Sequence, residues 1–196
     1  MRIGLGYDIH RFNGKRPLKL GGVTIPFSRG LLGHSDADVL LHALADALLG
    51  AIGAPDLGEQ FPPGNPRYRN ADSRLFVQRA YTQVRRQGLA VGNVDATVIA
   101  DAPKLTAYKA RMQRAISRLL HVDAARVSVK AKTTEGFAPA EGGIAAQAVV
   151  LLLAASHAAA AAYRRPRHSR RHPRRRRGAP ARSHAVVLLT PSRKRS

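Results

Sequence analysis

The sequence predicts an α/β protein, specifically an α+β two-layer sandwich with a mixed four-stranded sheet, helices on one face, a small hairpin and a disordered C-terminal tail. Three observations lead to this fold class. Apolar residues alternate with period two in several short segments, and they recur at helical spacing in the segments between them. The segments follow in the order strand, hairpin, helix, helix, strand, helix, strand, strand, which favours a mixed sheet over a repetitive doubly wound one.

The N-terminal segment, residues 2–12, predicts a strand because apolar residues at positions 3, 5, 7 and 9 alternate with Gly, Asp and His. Asp8 and His10 are two positions apart, so both side chains project from the same face of that strand. The same two periodicities and the turn residues predict the later elements. The first half of the chain has a hairpin at 17–27 around Gly21-Gly22, a flexible lead at 30–33, a helix at 33–48 and a Gly- and Pro-rich loop at 50–66. The second half has helices at 72–88 and 105–120, strands at 92–100 and 127–131, and a final strand or strand-helix within 144–155.

The first helix carries the most informative polar residues. Ser35 or Asp36 is expected to cap it by accepting from the first free backbone amides. His42 lies four residues from both Asp38 and Asp46, so the three side chains share a face. Two interpretations remain open: carboxylates that fix the tautomer of a metal-binding imidazole, or a solvated histidine on an amphipathic helix.

A divalent-cation site follows if the strand and the helix meet. Asp8, His10 and His42 would supply one oxygen and two nitrogen ligands and leave a fourth position open for substrate or water. The chain has no cysteine, so disulfides and thiolate sites are excluded and any metal must use His, Asp or Glu. Without cysteine or the apolar core of a signal peptide near the N-terminus, we expect a cytoplasmic protein.

The positive charge is concentrated at the C-terminus. Residues 163–196 hold 13 of the 33 Lys and Arg side chains and no acid, so residues 1–162 are only mildly basic. We expect one domain over residues 1–156 and a disordered tail over 157–196, which binds nucleic acid only nonspecifically, through phosphate contacts. The apolar run at 144–162 is interpreted as a core strand followed by Ala-rich filler rather than as a membrane span.

Seven short motifs occur in one order and carry a specific resemblance. They are Gly6–His10, Gly33–Asp38 with His42, Asp56–Gly58, Phe61-Pro62, Gly92–Asp95, Ala102–Lys104 and Lys130–Glu135. As a set they resemble the 2-C-methyl-D-erythritol 2,4-cyclodiphosphate synthase family of the non-mevalonate isoprenoid pathway. The likeness covers about residues 1–155 and leaves the tail without a counterpart.

The resemblance implies a homotrimer with active sites between neighbouring subunits and no membrane association. It implies a zinc-type cation on Asp8, His10 and His42, and a second cation, magnesium or manganese, near Glu135. The implied substrate is 4-diphosphocytidyl-2-C-methyl-D-erythritol 2-phosphate. Its 2-phosphate attacks the β-phosphorus of the same molecule, CMP leaves, and a cyclic diphosphate forms. This phosphoryl transfer depends on positioning and charge neutralisation rather than on a protein nucleophile.

The family pattern also assigns residues to the substrate. His34 and Thr133 are expected to be catalytic, lying along the phosphates and stabilising the transition state. Lys104 is expected to hold cytidine and its phosphate, although without the family it would be interpreted as a surface lysine. The full set of expected substrate contacts is Asp8, His10, His34, Ser35, Asp56, Leu57, Gly58, Phe61, Ala100, Pro103, Lys104, Lys132, Thr133, Thr134, Glu135 and Phe137.

The chain departs from this pattern after Glu135. The family commonly has a Lys-Leu pair there, whereas Gly136 follows directly, and an arginine expected on a phosphate is replaced near Ala140. Residues 63–65 are Pro-Gly-Asn where Asp-Thr-Asp is common, and Lys132 replaces a usual Thr or Ser, which would partly restore positive charge. Because one charge-assisted phosphate contact contributes roughly 1.5–3 kcal/mol, we expect reduced but not abolished activity. Two alternatives stay open: a noncatalytic relative that binds nucleotide or metal, and a nucleic-acid binder driven by the tail.

Overall fold

Seven strands and four α-helices make up the part of the chain that the computed structural model describes, residues 1–13, 16–137 and 142–155. The predicted tail, 157–196, and the substituted position Ala140 lie outside these residues. Within them, no helix is both long enough and apolar enough to cross a membrane. The strands are β1 (Arg2–Asn13), β2 (Leu18–Leu20), β3 (Val23–Ile25), β4 (Gly30–Leu31), β5 (Leu89–Ile99), β6 (Val127–Lys132) and β7 (Gly143–Ala154). The helices are α1 (Val39–Ala51), α2 (Leu57–Gln60), α3 (Arg74–Arg86) and α4 (Lys109–Leu119), with 3-10 turns at Pro66–Tyr68, Thr106–Tyr108 and Ala124–Arg126.

The main sheet has five strands in the order β4-β1-β7-β5-β6, and it is mixed because β5 pairs parallel with β6 while the other pairs are antiparallel. The predicted fold class is confirmed, but the sheet has one strand more than expected. Gly30–Leu31, predicted as a flexible lead, pairs with Phe12–Asn13. A two-residue strand is too short to show an alternating pattern, so the sequence does not reveal it.

The predicted hairpin is confirmed as a separate two-stranded sheet, β2-β3. Its turn residues Gly21 and Gly22 have φ of 57° and 74°. Two successive positive φ angles are what a type I′ turn requires, and glycine adopts them without steric cost.

Helix α1 is the centre of the core. Along its length only Asp46 and Gly50 are not buried, and it packs against β1 and β7 on one side and against α3 on the other. Its approach to β1 is unusually close. A Cβ at Gly6 would lie 1.9 Å from the carbonyl oxygen of Ala43, and one at Gly4 would lie 1.9 Å from that of Ala47. Glycine at positions 4 and 6 therefore sets the distance between strand and helix.

The start of α1 differs from the prediction. The cap is Asp38, not Ser35 or Asp36, and the helix begins at Val39. The fully buried Asp38 carboxylate accepts from the amide of Leu41 at 3.1 Å and from those of Gly21 and Gly22 at 2.8 and 2.7 Å. One side chain thus caps the helix and fastens the hairpin turn to it, a partnership that local sequence signals do not show.

The helices cover one face of the sheet, and among the described residues no element covers the other face. On the open face of β1 and β7, five large apolar side chains are between 40% and 66% exposed. They are Ile3, Leu5, Tyr7, Ile9 and Val149. A contiguous apolar strip of this kind is typical of an interaction surface.

Candidate active site

The three predicted ligands converge where β1 passes the first turn of α1. Asp8 Oδ2 lies 2.9 Å from His10 Nε2 and 2.9 Å from His42 Nδ1, and the two ring nitrogens are 3.2 Å apart. The other Asp8 oxygen, Oδ1, accepts from the amide of Ile9 at 2.8 Å. The backbone thereby holds the carboxylate so that Oδ2 faces the two imidazoles.

The spacing of these donor atoms fits a small divalent cation. Ligands of a tetrahedral zinc ion bonded at 2.0–2.1 Å lie about 3.3 Å from one another, close to the distances among Asp8, His10 and His42. Two imidazoles and one carboxylate also form a donor set that suits zinc and related transition metals better than magnesium. The residues present therefore fit a zinc-type ion with one position left for a ligand.

The electrostatics of the cluster keep Asp8 ionised. Burial by itself would raise the pKa of Asp8, but hydrogen bonds and charge from His10 and His42 outweigh it and hold that pKa well below its usual range. Burial likewise disfavours protonated His10, yet the hydrogen bond to Asp8 prevails and raises the pKa of His10. A bound proton on His10 therefore competes with a bound cation.

Two buried hydroxyls contact the ring nitrogen of His42 that does not face Asp8. Its Nε2 lies 2.9 Å from Ser73 Oγ and 3.0 Å from Ser35 Oγ. Ser73 in turn donates to Asp36 Oδ1 at 2.5 Å. The predicted substrate contact Ser35 therefore lies in the cluster, but its hydroxyl is directed at the His42 ring.

The interpretation in which Asp38 or Asp46 fixes the His42 tautomer is wrong, and so is the alternative of a solvated histidine, because His42 is buried. Asp38 is occupied by the backbone amides at the start of α1. Asp46 accepts from the amide of Leu57 at 2.7 Å and so fastens α1 to α2. Asp8 contacts His42 at Nδ1, and the carboxylate that reaches the other ring nitrogen, Nε2, is Asp36, through Ser73.

A cavity of about 400 Å³ opens beside the three ligands. Its floor includes Phe61, Tyr68 and Phe76, whose rings pack within 4.9 to 5.9 Å of one another and, through Phe76, against His42. The residues predicted for ligand or substrate binding that line this cavity are Asp8, His10, His34, Ser35, His42, Asp56, Leu57, Gly58 and Phe61.

The other predicted site residues lie elsewhere in the chain, at the end of β6 and on the loops that follow β5 and β6. Two strands separate β1 from β6, which corresponds to about 14 Å at the usual spacing between strands. The residues in this second group are Ala100, Pro103, Lys104, Lys132, Thr133, Thr134, Glu135 and Phe137. Within the described part of the chain, the cavity beside the ligands contains none of them.

Hydrogen bonds connect the two segments that carry this second group. The amide of Ala100 donates to the carbonyl of Lys132 at 2.9 Å, and the amide and hydroxyl of Thr134 donate to Asp101 at 2.8 and 2.5 Å. The Thr133 hydroxyl donates to Glu135. Phe137 is 96% exposed. The two loops therefore form one exposed cluster of polar groups at the end of the sheet.

Sequence reasoning missed Ser73, Tyr68 and Phe76. Ser73 stands before a helix, where a serine is ordinarily interpreted as a cap. Tyr68 and Phe76 belong to segments whose apolar residues all predict ordinary core packing. No local signal distinguishes an aromatic residue beneath a cavity from one in the interior.

Comparison with known proteins shows which family and which solved structures this chain resembles. Residues 1–153 match the model of the YgbB family. A 2-C-methyl-D-erythritol 2,4-cyclodiphosphate synthase from Geobacillus thermodenitrificans is 54% identical over 150 residues, which cover 76% of this chain and 94% of that protein. The one from Moorella thermoacetica is 56% identical over 151 residues, or 76% and 93% of the two chains. A solved structure of 2C-methyl-D-erythritol-2,4-cyclodiphosphate synthase in a CDP-bound form is 40% identical, covers 78% of this chain and all of that one, and superposes with a TM-score of 0.73.

Proposed function

The chain belongs to the YgbB family, and on that premise we propose that it catalyses the cyclodiphosphate synthase reaction named for its relatives. The resemblance derived from the sequence motifs is thereby confirmed. One observation carries the proposal beyond the likeness: Asp8, His10 and His42 meet at a cavity that also contains His34 and Asp56.

The reaction is an intramolecular phosphoryl transfer in isoprenoid precursor synthesis. An oxygen of the 2-phosphate bonds to the β-phosphorus of 4-diphosphocytidyl-2-C-methyl-D-erythritol 2-phosphate. The bond from that phosphorus to the bridging oxygen of the α-phosphate breaks, and CMP leaves with the bonding electrons. No protein group is consumed, so the residues contribute positioning and charge.

We assign the zinc-type cation to Asp8, His10 and His42, where it would neutralise phosphate charge as a Lewis acid. The exposed Glu135 is the proposed contact of a second cation, magnesium or manganese, since such ions are commonly held by one or two carboxylates together with substrate phosphates. Thr133, adjacent in the same cluster, is proposed to lie along the phosphates.

His34 is proposed to stabilise the transition state from the wall of the cavity. It is exposed, and it lines both this cavity and a neighbouring cleft of about 620 Å³ that contains Arg16 and Arg69. Its backbone is well held, because its carbonyl accepts from the amide of Asn70 at 2.6 Å. Arg16 donates to the carbonyl of Gly33 at 2.9 Å and to Asn70 Oδ1 at 3.1 Å, so it links the residue before His34 to the residue that binds the His34 carbonyl.

A homotrimer with sites between subunits is proposed from two features of this chain. The loops after β5 and β6 are separated within one subunit from the cavity beside β1, so a second copy is needed to bring Lys104 and Thr133 to the phosphates. The exposed apolar strip on the open sheet face, which includes Leu5, supplies a surface for this assembly.

The assembly is tested by sedimentation of the full chain, which is expected to give three times the subunit mass of 21.2 kDa. Leu5→Glu places a charge in the exposed strip and should dissociate the assembly, whereas Gln78→Glu makes the same charge change on the exposed side of α3 and should not. A monomeric wild-type protein that turns over normally would refute sites shared between subunits.

The activity is tested by incubating the full chain with zinc, magnesium and 4-diphosphocytidyl-2-C-methyl-D-erythritol 2-phosphate. Release of CMP and a cyclic diphosphate is expected, at a rate reduced by the changes after Glu135. His42→Ala is expected to abolish turnover together with zinc binding. If the wild-type protein binds zinc but releases no CMP, it is a noncatalytic relative.

A further inference from the structure

Ser73 occupies the cap position of α3, yet its hydroxyl caps nothing. The first turn of that helix is satisfied instead by Asp72, whose Oδ1 accepts from the amide of Arg74 at 2.9 Å. Ser73 is fully buried, so its hydroxyl must find partners within the protein. Those partners are His42 at 2.9 Å and Asp36 at 2.5 Å, with the hydroxyl of Ser35 farther away at 3.3 Å.

The donors and acceptors around Asp36, Ser73 and His42 decide the direction of each hydrogen bond between them. Asp36 is surrounded by donors: Oδ1 receives the hydroxyl and the amide of Ser73 at 2.5 and 3.2 Å, and Oδ2 lies 3.1 Å from Lys19 Nζ. A carboxylate so placed only accepts, so the single hydroxyl proton of Ser73 goes to Asp36. Ser73 Oγ is then an acceptor toward His42, and the proton between them, across 2.9 Å, belongs to His42 Nε2.

We propose that Ser73 and Asp36 are positioning residues for the cation site, which hold His42 with Nε2 protonated so that the lone pair of Nδ1 faces Asp8 and His10. A ligating histidine commonly donates its other ring N–H to a fixed acceptor, which sets both tautomer and ring orientation. Here the acceptor is the Ser73 hydroxyl, and the Asp36 carboxylate determines its orientation. The inference rests on the proposed function, since it concerns the metal site assigned there.

The first measurement is zinc affinity by competition with a chromophoric chelator, without substrate, on the full chain. Ser73→Ala is expected to weaken zinc binding roughly 10- to 100-fold. Because Ser35 Oγ also lies 3.0 Å from Nε2, the double variant Ser35→Ala/Ser73→Ala should weaken it further. Ser73→Thr, which keeps a hydroxyl, should recover most of the affinity. Ser117→Ala is the matched control: Ser117 is also buried, but its hydroxyl donates to the carbonyl of Arg114 in α4, and zinc affinity should not change.

The second measurement is nitrogen-15 NMR of the histidine side chains in the metal-free wild-type protein, where no cation fixes the tautomer of His42. The spectrum of neutral His42 should show a proton on Nε2 and none on Nδ1. In Asp36→Asn, where the amide can turn a donor toward Ser73 Oγ, this tautomer should become less populated and zinc affinity should fall.

The outcomes separate the two proposals. If the wild-type chain binds no divalent cation, the metal site of the proposed function fails and takes the inference with it. If wild type binds zinc but Ser73→Ala binds within about twofold of it, or if His42 carries its proton on Nδ1, only the positioning role is overturned. If Ser73→Ala does not fold, the wild-type spectrum alone decides.

Discussion

Replacing Gly6 with alanine tests whether the distance between β1 and α1 sets both the stability of the fold and the geometry of the cation site. The added Cβ would lie 1.9 Å from the carbonyl oxygen of Ala43 and 2.7 Å from the amide nitrogen of Ala47. An unstrained contact between carbon and oxygen needs about 3.3 Å or more. The strand and helix must therefore separate by about 1.4 Å, because both clashing groups are backbone and cannot turn aside.

The expected loss of stability is that of adding a methyl group to a tightly packed core. Such substitutions cost about 1–3 kcal/mol and occasionally more, and we expect the upper part of that range for Gly6→Ala. For a chain of this size each kcal/mol lowers Tm by about 2–4 °C, so thermal unfolding followed by circular dichroism should shift by about 6–12 °C. Zinc affinity should fall as well, since the same displacement moves His42 away from Asp8, with which it now makes a 2.9 Å contact.

Gly50→Ala is the matched control. It lies near the end of α1, where an added Cβ would meet only the carbonyl oxygen of Leu5 at 3.8 Å. Alanine is favoured over glycine within a helix by up to about 1 kcal/mol, so this variant should gain stability and bind zinc as wild type does. Equal Tm and equal zinc affinity for Gly6→Ala and wild type would show that the close contact is not what holds β1 and α1 in register.

Three further predictions concern the site and the tail. In metal-free protein, Asp8 adds stability above pH ~4, and this stability is lost as the pH falls, because folding lowers the pKa of Asp8. His10 adds stability below pH ~6.5, and this stability is lost as the pH rises through the raised pKa of His10. Urea unfolding in chelator should therefore show the largest deficit of Asp8→Asn against wild type between those limits, and a deficit independent of pH would contradict it. His34→Ala should lower kcat for CMP release by about 10²- to 10³-fold, as the loss of one transition-state donor does, with zinc content unchanged; an equal rate would remove His34 from the mechanism. Deleting residues 163–196 should leave CMP release intact and abolish DNA binding that weakens steeply with salt in gel-shift titrations, and binding retained by the truncated chain would place the basic surface elsewhere.

Much of this protein can be predicted from local pattern. The alternation along β1 puts Asp8 and His10 on one face, and the hairpin follows from Gly21-Gly22 between apolar pairs. The metal set was predictable because the absence of cysteine left only His, Asp and Glu as donors. The motifs and their order were sufficient to identify the family.

The errors share one cause. The four-residue spacing of Asp38 and His42 allows the two side chains to pair, but Asp38 binds the amides of Gly21 and Gly22, which are distant in sequence. The two-residue strand β4 exists only because the end of β1 lies beside it. In each case the side chain or segment had several partners within reach, and tertiary packing selected one of them.

The order of elements, the faces of β1 and α1 and the identity of the donor atoms were determined by the sequence itself, since each depends on neighbours within one or two helical turns or on residue chemistry. What only the tertiary structure decided is which groups meet. Gly4 and Gly6 let the helix approach, Asp36 reaches His42 through Ser73, and the lining of the cavity within the described chain includes neither Lys104 nor Thr133. Contacts between residues more than thirty positions apart depend on how whole elements pack, and a hydroxyl or carboxylate has no period that would reveal its partner in advance.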